Sequence, residues 1–470
     1  MPPKVALTFC VIFILWLFYR ARKREQKFSL GLWVPLIWIL IIGSKPISTW
    51  FGLGGATNTT DDYLEGSPVD RAVFFVLIIA GLFVLSRRGV RWRETWAQNP
   101  WLFAFVLYCG LSVIWSDYPF VSFKRWIKDF GNIVMVMIVL TETDPVAATK
   151  SLFSRCVYFL IPVSVLLVKY FPELGRYYDR WTWLPSISGV TTTKNLLGMV
   201  VFVSAVFLAW MLFTARDEKL RSGRSTDLLP LIILSTMTLW LLSKCESSTA
   251  TTCTIVTVII FWAMKYQTMR RKLQYVVGYS FALVVGFYLL HAVFNIGELF
   301  IQLMGRDMTF TGRTDIWSAV LKENINPLFG TGFYSFWLGD RIPRLSERYS
   351  FALNEAHNGY LETYLNNGLI GLFLLVGLII AAAKRISQDI LSGSSYATLR
   401  FAFLVSTAFY AMSESVFNRL NFVWLVFLLV IMEYPRSDRT RQQTLRIEED
   451  TFSPVPVREF ASTLRGSSMG

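Results

Sequence analysis

The chain is short of charge, of histidine and of cysteine pairs. Only 17% of its 470 residues are Asp, Glu, Lys or Arg, against about a quarter in a soluble globular protein. A core surrounded by water cannot hide the 54% that are hydrophobic, so a string of soluble domains is excluded, as are disorder, collagen and a small disulfide scaffold. The five cysteines, Cys10, Cys109, Cys156, Cys245 and Cys253, lie in or beside apolar runs, with no Cys-x-x-Cys spacing. They read as small hydrophobes, not as a zinc site or a disulfide framework. There is no Gly-x-x-x-x-Gly-Lys-Ser/Thr loop, no His-Glu-x-x-His and no Gly-x-Ser-x-Gly elbow. ATP-driven transport, zinc proteolysis and serine hydrolysis lose their usual signatures.

What the chain has in excess is apolar length. Mean hydropathy is +0.46, with 17 Trp and 38 Phe, the rings expected at the two interfaces of a bilayer. A bilayer core of about 30 Å takes roughly 20 helical residues. Spans are expected near 5–19, 30–51, 70–86, 101–115, 131–141, 151–171, 195–213, 228–243, 250–264, 275–294, 367–383, 397–414 and 418–433. The fold expected is therefore all-α: a polytopic integral membrane helical bundle of about 12–13 transmembrane helices. Arg20, Arg22, Lys23, Arg24 and Lys27 follow the first apolar run, where a cleaved signal would carry small residues, so that run reads as a retained helix.

Orientation follows from the cations. The loops at 20–29, 86–99, 214–227, 265–274 and 384–396 carry 19 Lys and Arg, and the short loops at 52–70, 116–130, 172–194 and 244–249 carry 7. Positive charge resists translocation, so the richer side is cytoplasmic. This topology explains the net charge of +14 without a nucleic-acid partner, for which no basic stripe on a soluble face is present. Four regions result: N-terminal transmembrane helices over 1–294, a large outer loop over 295–366, C-terminal transmembrane helices over 367–433, and a flexible cytoplasmic tail over 434–470.

The outer loop is the one extramembrane stretch expected to be large enough for a site. Residues 312–325 read as a helix, with Thr314 at its N-cap and Trp317, Val320, Leu321 and Ile325 as its apolar stripe, stopped by Pro327. A second helix is expected from His357 or Asn358 through Gly368 into the next span.

The histidines are His291 and His357. His291 ends an apolar run and reads as an interfacial imidazole. His357 lies among Asn354, Glu355, Asn358 and Glu362, where an imidazole can take a proton near neutral pH and a nearby carboxylate can set its tautomer. A cap or surface role is equally open on these residues alone. Glu355 and Glu362 are seven residues apart, and a solvated helix face is their commoner explanation. Outer-side cations, Lys124, Arg125, Lys128, Arg176, Arg180, Lys194, Lys244 and Arg313, can pair with lipid phosphate singly or clamp a phosphorylated headgroup together. Mid-span charges would favour a transporter or flippase instead; Glu414 and Lys45 are the modest examples found, and both are equally compatible with ends or breaks of spans.

Several motifs in order carry a resemblance. They are Gly312-Arg313-Thr-Asp-Ile-Trp317, Pro327-Leu-Phe-Gly330-Thr-Gly332-Phe, Glu355-Ala-His357-Asn358-Gly-Tyr360-Leu361-Glu362 and Asn367-Gly368-Leu-Ile-Gly371-Leu. Upstream stand Gly189-Val-Thr-Thr-Thr-Lys194-Asn195-Leu-Leu-Gly198 and Leu242-Ser243-Lys244-Cys-Glu-Ser247-Ser248-Thr249. Together they resemble the bacterial O-antigen ligase and polysaccharide polymerase superfamily, most closely its exopolysaccharide polymerases. The resemblance implies a GT-C-like membrane glycosyltransferase in the bacterial inner membrane, with its site facing the periplasm. It implies transfer of undecaprenyl-pyrophosphate-linked oligosaccharide, for which the residue inventory leads us to expect an in-line, inverting attack without metal or other cofactor. Its partners would be that lipid-linked oligosaccharide, membrane lipid and a chain-length-regulating membrane protein. Carried onto this chain, His357 and Arg313 would be catalytic, and Lys244, Lys194 and Arg125 would bind donor pyrophosphate. Glu355, Asn358, Glu362 and Asn195 would support them. Lys194 and Lys244 stand where many relatives have His and Arg, and a lysine binds phosphate as a point charge rather than a fork.

Overall fold

The structure, a computed structural model, describes residues 1–24, 29–53, 67–178, 184–222, 227–272, 313–347, 353–391 and 394–435. The span expected at 275–294, and His291 within it, lie outside the described residues.

The described residues are largely helical. In order come α1 (Pro3–Arg24), α2 (Trp33–Ile42), α3 (Ile47–Trp50), α4 (Pro68–Ser86), α5 (Trp92–Gln98), α6 (Pro100–Leu111), α7 (Pro119–Leu140), α8 (Pro145–Tyr170) and α9 (Pro172–Gly175). A small antiparallel hairpin, β1 (Arg176–Tyr178) and β2 (Pro185–Ile187), pairs Tyr177 with Ser186. Then follow α10 (Lys194–Ser222), α11 (Leu228–Lys244), α12 (Ser248–Ala263), α13 (Gln267–Lys272), α14 (Arg313–Val320), α15 (Arg341–Ser346), α16 (Gly359–Leu391), α17 (Ser395–Tyr410) and α18 (Phe422–Ile431).

Among the described residues five helices, α1, α4, α8, α10 and α16, are long and apolar enough to cross a membrane, and shorter apolar helices pack between them. The protein is a multi-pass membrane protein with an all-α bundle. Its core is α18, every residue of which is buried, packed against α7, α10 and α17. Starts are written into the sequence: Ser67, Asp144, Ser247, Ser394 and Asn421 each accept from the first free N–H groups of α4, α8, α12, α17 and α18, and Pro68 and Pro145 occupy a first position where no donor is needed.

Four sequence expectations are corrected in detail. Residues 116–130 are not a loop, because α7 begins at Pro119 and carries Lys124, Arg125 and Lys128 on its first turns. The 30–51 run is broken at Gly43–Pro46, where proline ends the ladder between α2 and α3. Helix α14 ends at Val320, five residues before Ile325, and starts at Arg313, so Thr314 lies in its first turn rather than at the cap. The runs at 397–414 and 418–433 shrink to α17 and α18, and the connection over 411–421 enters the site.

Helix α16 does pass through Gly368, but with a kink there (φ 66°, ψ −167°). The kink is held by the Pro327–Gly332 loop. Leu369 N–H donates to Pro327 O (2.9 Å), Gly332 N–H to Asn366 O (2.8 Å) and Thr331 N–H to Leu365 O (3.1 Å). A Cβ on Gly368 would lie 2.1 Å from Leu328 O. These glycines serve a backbone clasp that fixes where the following residues, Phe333 and Tyr334, emerge.

A candidate active site

Three segments far apart in sequence meet at one end of the bundle: the residues before α16, the start of α14, and the α17–α18 connection. His357 sits just before α16 in the left-handed region (φ 50°), a conformation that costs an ordinary residue about 1–3 kcal/mol and persists only where surroundings enforce it. They do. Asn358 Oδ1 accepts from Tyr360 N–H and Leu361 N–H (both 3.0 Å), making it the helix cap. Ala356 is gripped on both sides, its N–H by Glu362 Oε1 (2.6 Å) and its carbonyl by Trp317 Nε1 (2.8 Å).

The imidazole faces two carboxylates through one nitrogen. Nδ1 lies 3.2 Å from Glu355 Oε1 and 3.4 Å from Glu414 Oε2. Glu414, buried at 4% exposure, takes a 2.8 Å ion pair from Arg313 Nη2 on its other oxygen. Glu355 takes one from Arg419 Nη1 at 2.6 Å, and the second nitrogen of Arg419 lies 3.4 Å from Glu362 Oε1. Glu362 also accepts from Trp337 Nε1 (2.8 Å). It is buried, not on a solvated face, and Glu355 precedes the helix rather than sharing it.

Three carboxyl groups thus meet two guanidiniums and the imidazole. Burial opposes the proton on His357, but Glu355, then the hydrogen bond and charge of Glu414, outweigh it, and its pKa lies above the usual value. Burial likewise pushes Glu355 up, and Arg419, His357 and Arg313 together bring it below the ordinary carboxylate range. A neutral His357 would hold its proton on Nδ1 toward the carboxylates and present the lone pair of Nε2, for which the described residues provide no hydrogen-bond partner. Glu355, His357 and Glu414 also place one donor atom each within 4.8 Å of one another, the set a divalent ion would use. Each carboxylate already holds a guanidinium, whose charge opposes a cation there.

The other sequence candidates surround this cluster. Arg125 reaches it through Tyr334: Nη1 donates to Tyr334 O (2.8 Å), and the guanidiniums of Arg125 and Arg419 lie 5.3 and 5.2 Å from the Tyr334 ring. Tyr334 and Asn418 are, like His357, left-handed (φ 56° each). Lys244 is exposed at the end of α11. The first turn of α12, just after its loop, touches the site's edge, where Thr249 Oγ1 and Ser413 Oγ are 2.7 Å apart. Lys194 begins α10, its N–H bonded to Tyr177 OH (3.2 Å), and Asn195 follows half-buried. A Cβ on Gly198, one turn further, would come 3.0 Å from Ser247, so α10 and the Lys244 loop are neighbours. Among the described residues the ion-pair and hydrogen-bond partners of His357 are Glu355 and Glu414, not Lys194, Asn195 or Lys244. Of the remaining outer cations, Arg176 is a structural cap, donating to Val168 O (3.1 and 2.9 Å) at the end of α8, and Arg180 lies outside the described residues.

Glu414 and Arg419 are the site residues that sequence reasoning missed as such. The available signal was the polar string Ser413-Glu414-Ser415 and Asn418-Arg419 interrupting two apolar runs.

Residues 229–376, which contain Lys244, Arg313, Glu355, His357 and Glu362, match the family described as O-antigen ligase. Over this segment the chain is similar to the O-antigen ligase family. The chain is also 24% identical over 297 residues to the exopolysaccharide production protein ExoQ of Rhizobium meliloti (strain 1021), an alignment covering 61% of this chain and 65% of that protein. The chain thus spans just under two thirds of the length of the curated relative it matches. Arg125, Lys194, Glu414 and Arg419 lie outside the O-antigen ligase segment, yet Arg125, Glu414 and Arg419 fold onto it.

Proposed function

We propose that the protein is a membrane glycosyltransferase of polysaccharide biosynthesis, polymerising or ligating undecaprenyl-pyrophosphate-linked oligosaccharides at the periplasmic face of the bacterial inner membrane. The observation that carries this reading is an imidazole oriented by two carboxylates, 2.8 Å from whose inner member an arginine opens α14, within an O-antigen ligase segment.

The chemistry is economical in groups. A lipid pyrophosphate is a good leaving group that needs charge neutralisation more than a proton. His357 Nε2 takes the proton of an acceptor sugar hydroxyl as its oxygen attacks the anomeric carbon. The bond from that carbon to the pyrophosphate oxygen breaks, the lipid pyrophosphate leaves with the electron pair, and configuration inverts. Arg313, with Lys244 and the flanking Lys194 and Arg125, holds the departing charge. Supply of one oriented base accounts for about 10²- to 10⁴-fold.

The transporter reading loses its residues. Glu414 lies beyond the end of α17 and Lys45 between α2 and α3, its Nζ donating to Leu174 O (2.5 Å); neither lies within a helix. Purified protein in liposomes, given a lipid-linked repeat unit and no energy source, should lengthen the glycan. An intact substrate with no new glycosidic bond would reject the proposal. Lipid A core added as acceptor separates ligation from polymerisation.

A further inference from the structure

The guanidinium of Arg419 pairs with two of the carboxylates that hold His357 and the residue before it in place. Its Nη1 is 2.6 Å from Glu355 Oε2, the carboxylate whose other oxygen faces His357 Nδ1 at 3.2 Å. Its Nη2 is 3.4 Å from Glu362 Oε1, an ion-pair separation rather than a hydrogen bond, and that oxygen accepts from Ala356 N–H at 2.6 Å. One planar fork therefore spans the two carboxylates that fix the side chain of His357 and the backbone immediately before it. The fork is itself steadied from below by the Tyr334 ring, 5.2 Å away. Its own backbone is steadied too: Asn418 before it is left-handed, and Asn421 after it caps α18 through Trp424 N–H (2.8 Å) and ties back to Val416 O (2.9 Å).

We propose that Arg419 is a positioning residue: by bridging Glu355 and Glu362 it holds His357 in its left-handed conformation with Nδ1 on the carboxylates and Nε2 free to act. The role is geometric. A monodentate cation at the same place neutralises charge but cannot span two carboxylates 2.6 and 3.4 Å from different nitrogens. It lies 43 residues beyond the end of the matched segment, which stops at 376, and the sequence offers no motif that assigns it.

This inference rests on the glycosyltransferase reading for its kinetic test but not for its spectroscopic one. The chain has two histidines, so in a His291→Gln background ¹⁵N-histidine labelling leaves one imidazole. Above its titration, that ring should carry its proton on Nδ1. In Arg419→Met it should shift toward the Nε2–H form, with Arg419→Lys between the two. In the polymerisation assay Arg419→Met should lower kcat about 10²-fold, the scale of a 1 Å misplacement of a reacting group. KM for the lipid-linked donor should stay within about twofold, and Arg419→Lys should recover only part of the loss. Each variant is compared at equal amounts of monodisperse protein in detergent. Where Arg419→Met does not survive purification, Glu362→Gln, which weakens the same bridge while leaving Arg419 in place, carries the same expectations. An unchanged tautomer with unchanged kcat overturns the inference. So does a rise in KM with kcat intact, which would make Arg419 a donor ligand. Absence of any polymerising activity in the wild type, with the tautomer shift still present in Arg419→Met, rejects the proposed function and keeps the positioning role.

Discussion

Glu414 holds Arg313 with one carboxylate oxygen at 2.8 Å and faces His357 Nδ1 with the other at 3.4 Å. A single buried carboxylate thus couples the group proposed to take the proton to the group proposed to take the leaving charge. The first prediction concerns pH. The His357 pKa lies above the usual value near 6.5, and a base works only when neutral, so kcat should rise with pH through a midpoint above 6.5. Glu414→Gln removes an acceptor and a negative charge and leaves Arg313 facing the ring; each change disfavours the imidazolium, and the midpoint should move down. Stability runs the other way. A raised folded-state pKa stabilises the fold fully below the unfolded value and loses that contribution as pH rises through the folded one. The thermal midpoint in detergent should therefore fall across the same window in which activity rises, and should fall less in His357→Gln. A profile flat from pH 6 to 9 contradicts this assignment.

His357→Ala should lower polymer formation about 10²- to 10⁴-fold while the protein remains in the membrane. Glycan lengthening by purified enzyme measures it directly. Because Glu355 and Glu414 lose their shared neighbour, some loss of thermal stability accompanies the variant, so activity is normalised to folded protein. Wild-type polymer from folded His357→Ala would remove the imidazole from the chemistry.

Arg313→Lys keeps the charge and loses the fork. Arg313 is 18% exposed and already spends one nitrogen on Glu414, so a lysine must choose between carboxylate and phosphate. Donor KM should rise about tenfold or more and kcat should drop as well, since charge held only in the transition state is lost too. Unchanged donor use would show Arg313 to be no more than the counter-ion of Glu414.

These variants also mark what was legible in the sequence. Apolar runs fix the spans, because a bilayer demands about 20 residues of helix wherever it is crossed, and the caps before α4, α8, α12, α17 and α18 are local. His357, Glu355 and Arg313 stand out as polar residues in an outer loop. Glu414 and Arg419 do not, because they join the site only after α16 and α17 have crossed and returned, 57 and 64 residues later in sequence than the partners they meet. Glu414 reads only as a charge within an apolar run, mid-span or at a break, because a helix end inside such a run has no local mark. Glu362 read as solvated for the same kind of reason: its burial comes from Trp337 and Arg419, neither of them nearby in sequence. The left-handed turns at Tyr334, His357 and Asn418 were invisible too, since no residue type announces a conformation imposed by tertiary contacts.

The last prediction separates scaffold from chemistry. Gly368 kinks α16 at φ 66° and ψ −167°, a region reached by essentially no residue with a Cβ, and a Cβ there would sit 2.1 Å from Leu328 O and 2.5 Å from Phe329 N. Gly368→Ala must therefore both strain its own backbone, at about 1–3 kcal/mol, and push the Pro327–Gly332 loop off the helix. That loop places Tyr334, whose carbonyl receives Arg125 and whose ring underlies Arg419, so the disturbance reaches the site without touching a reacting group. Gly89 is the control: it too has a positive φ (60°), but a Cβ there meets nothing within 4 Å. Gly89→Ala should cost backbone strain alone and leave kcat as it was. Gly368→Ala should lower the thermal midpoint further and reduce kcat at equal folded protein, the difference between the two variants measuring the clasp. Equal midpoints and equal activity in both would mean that the loop yields to the added methyl and does not position the site.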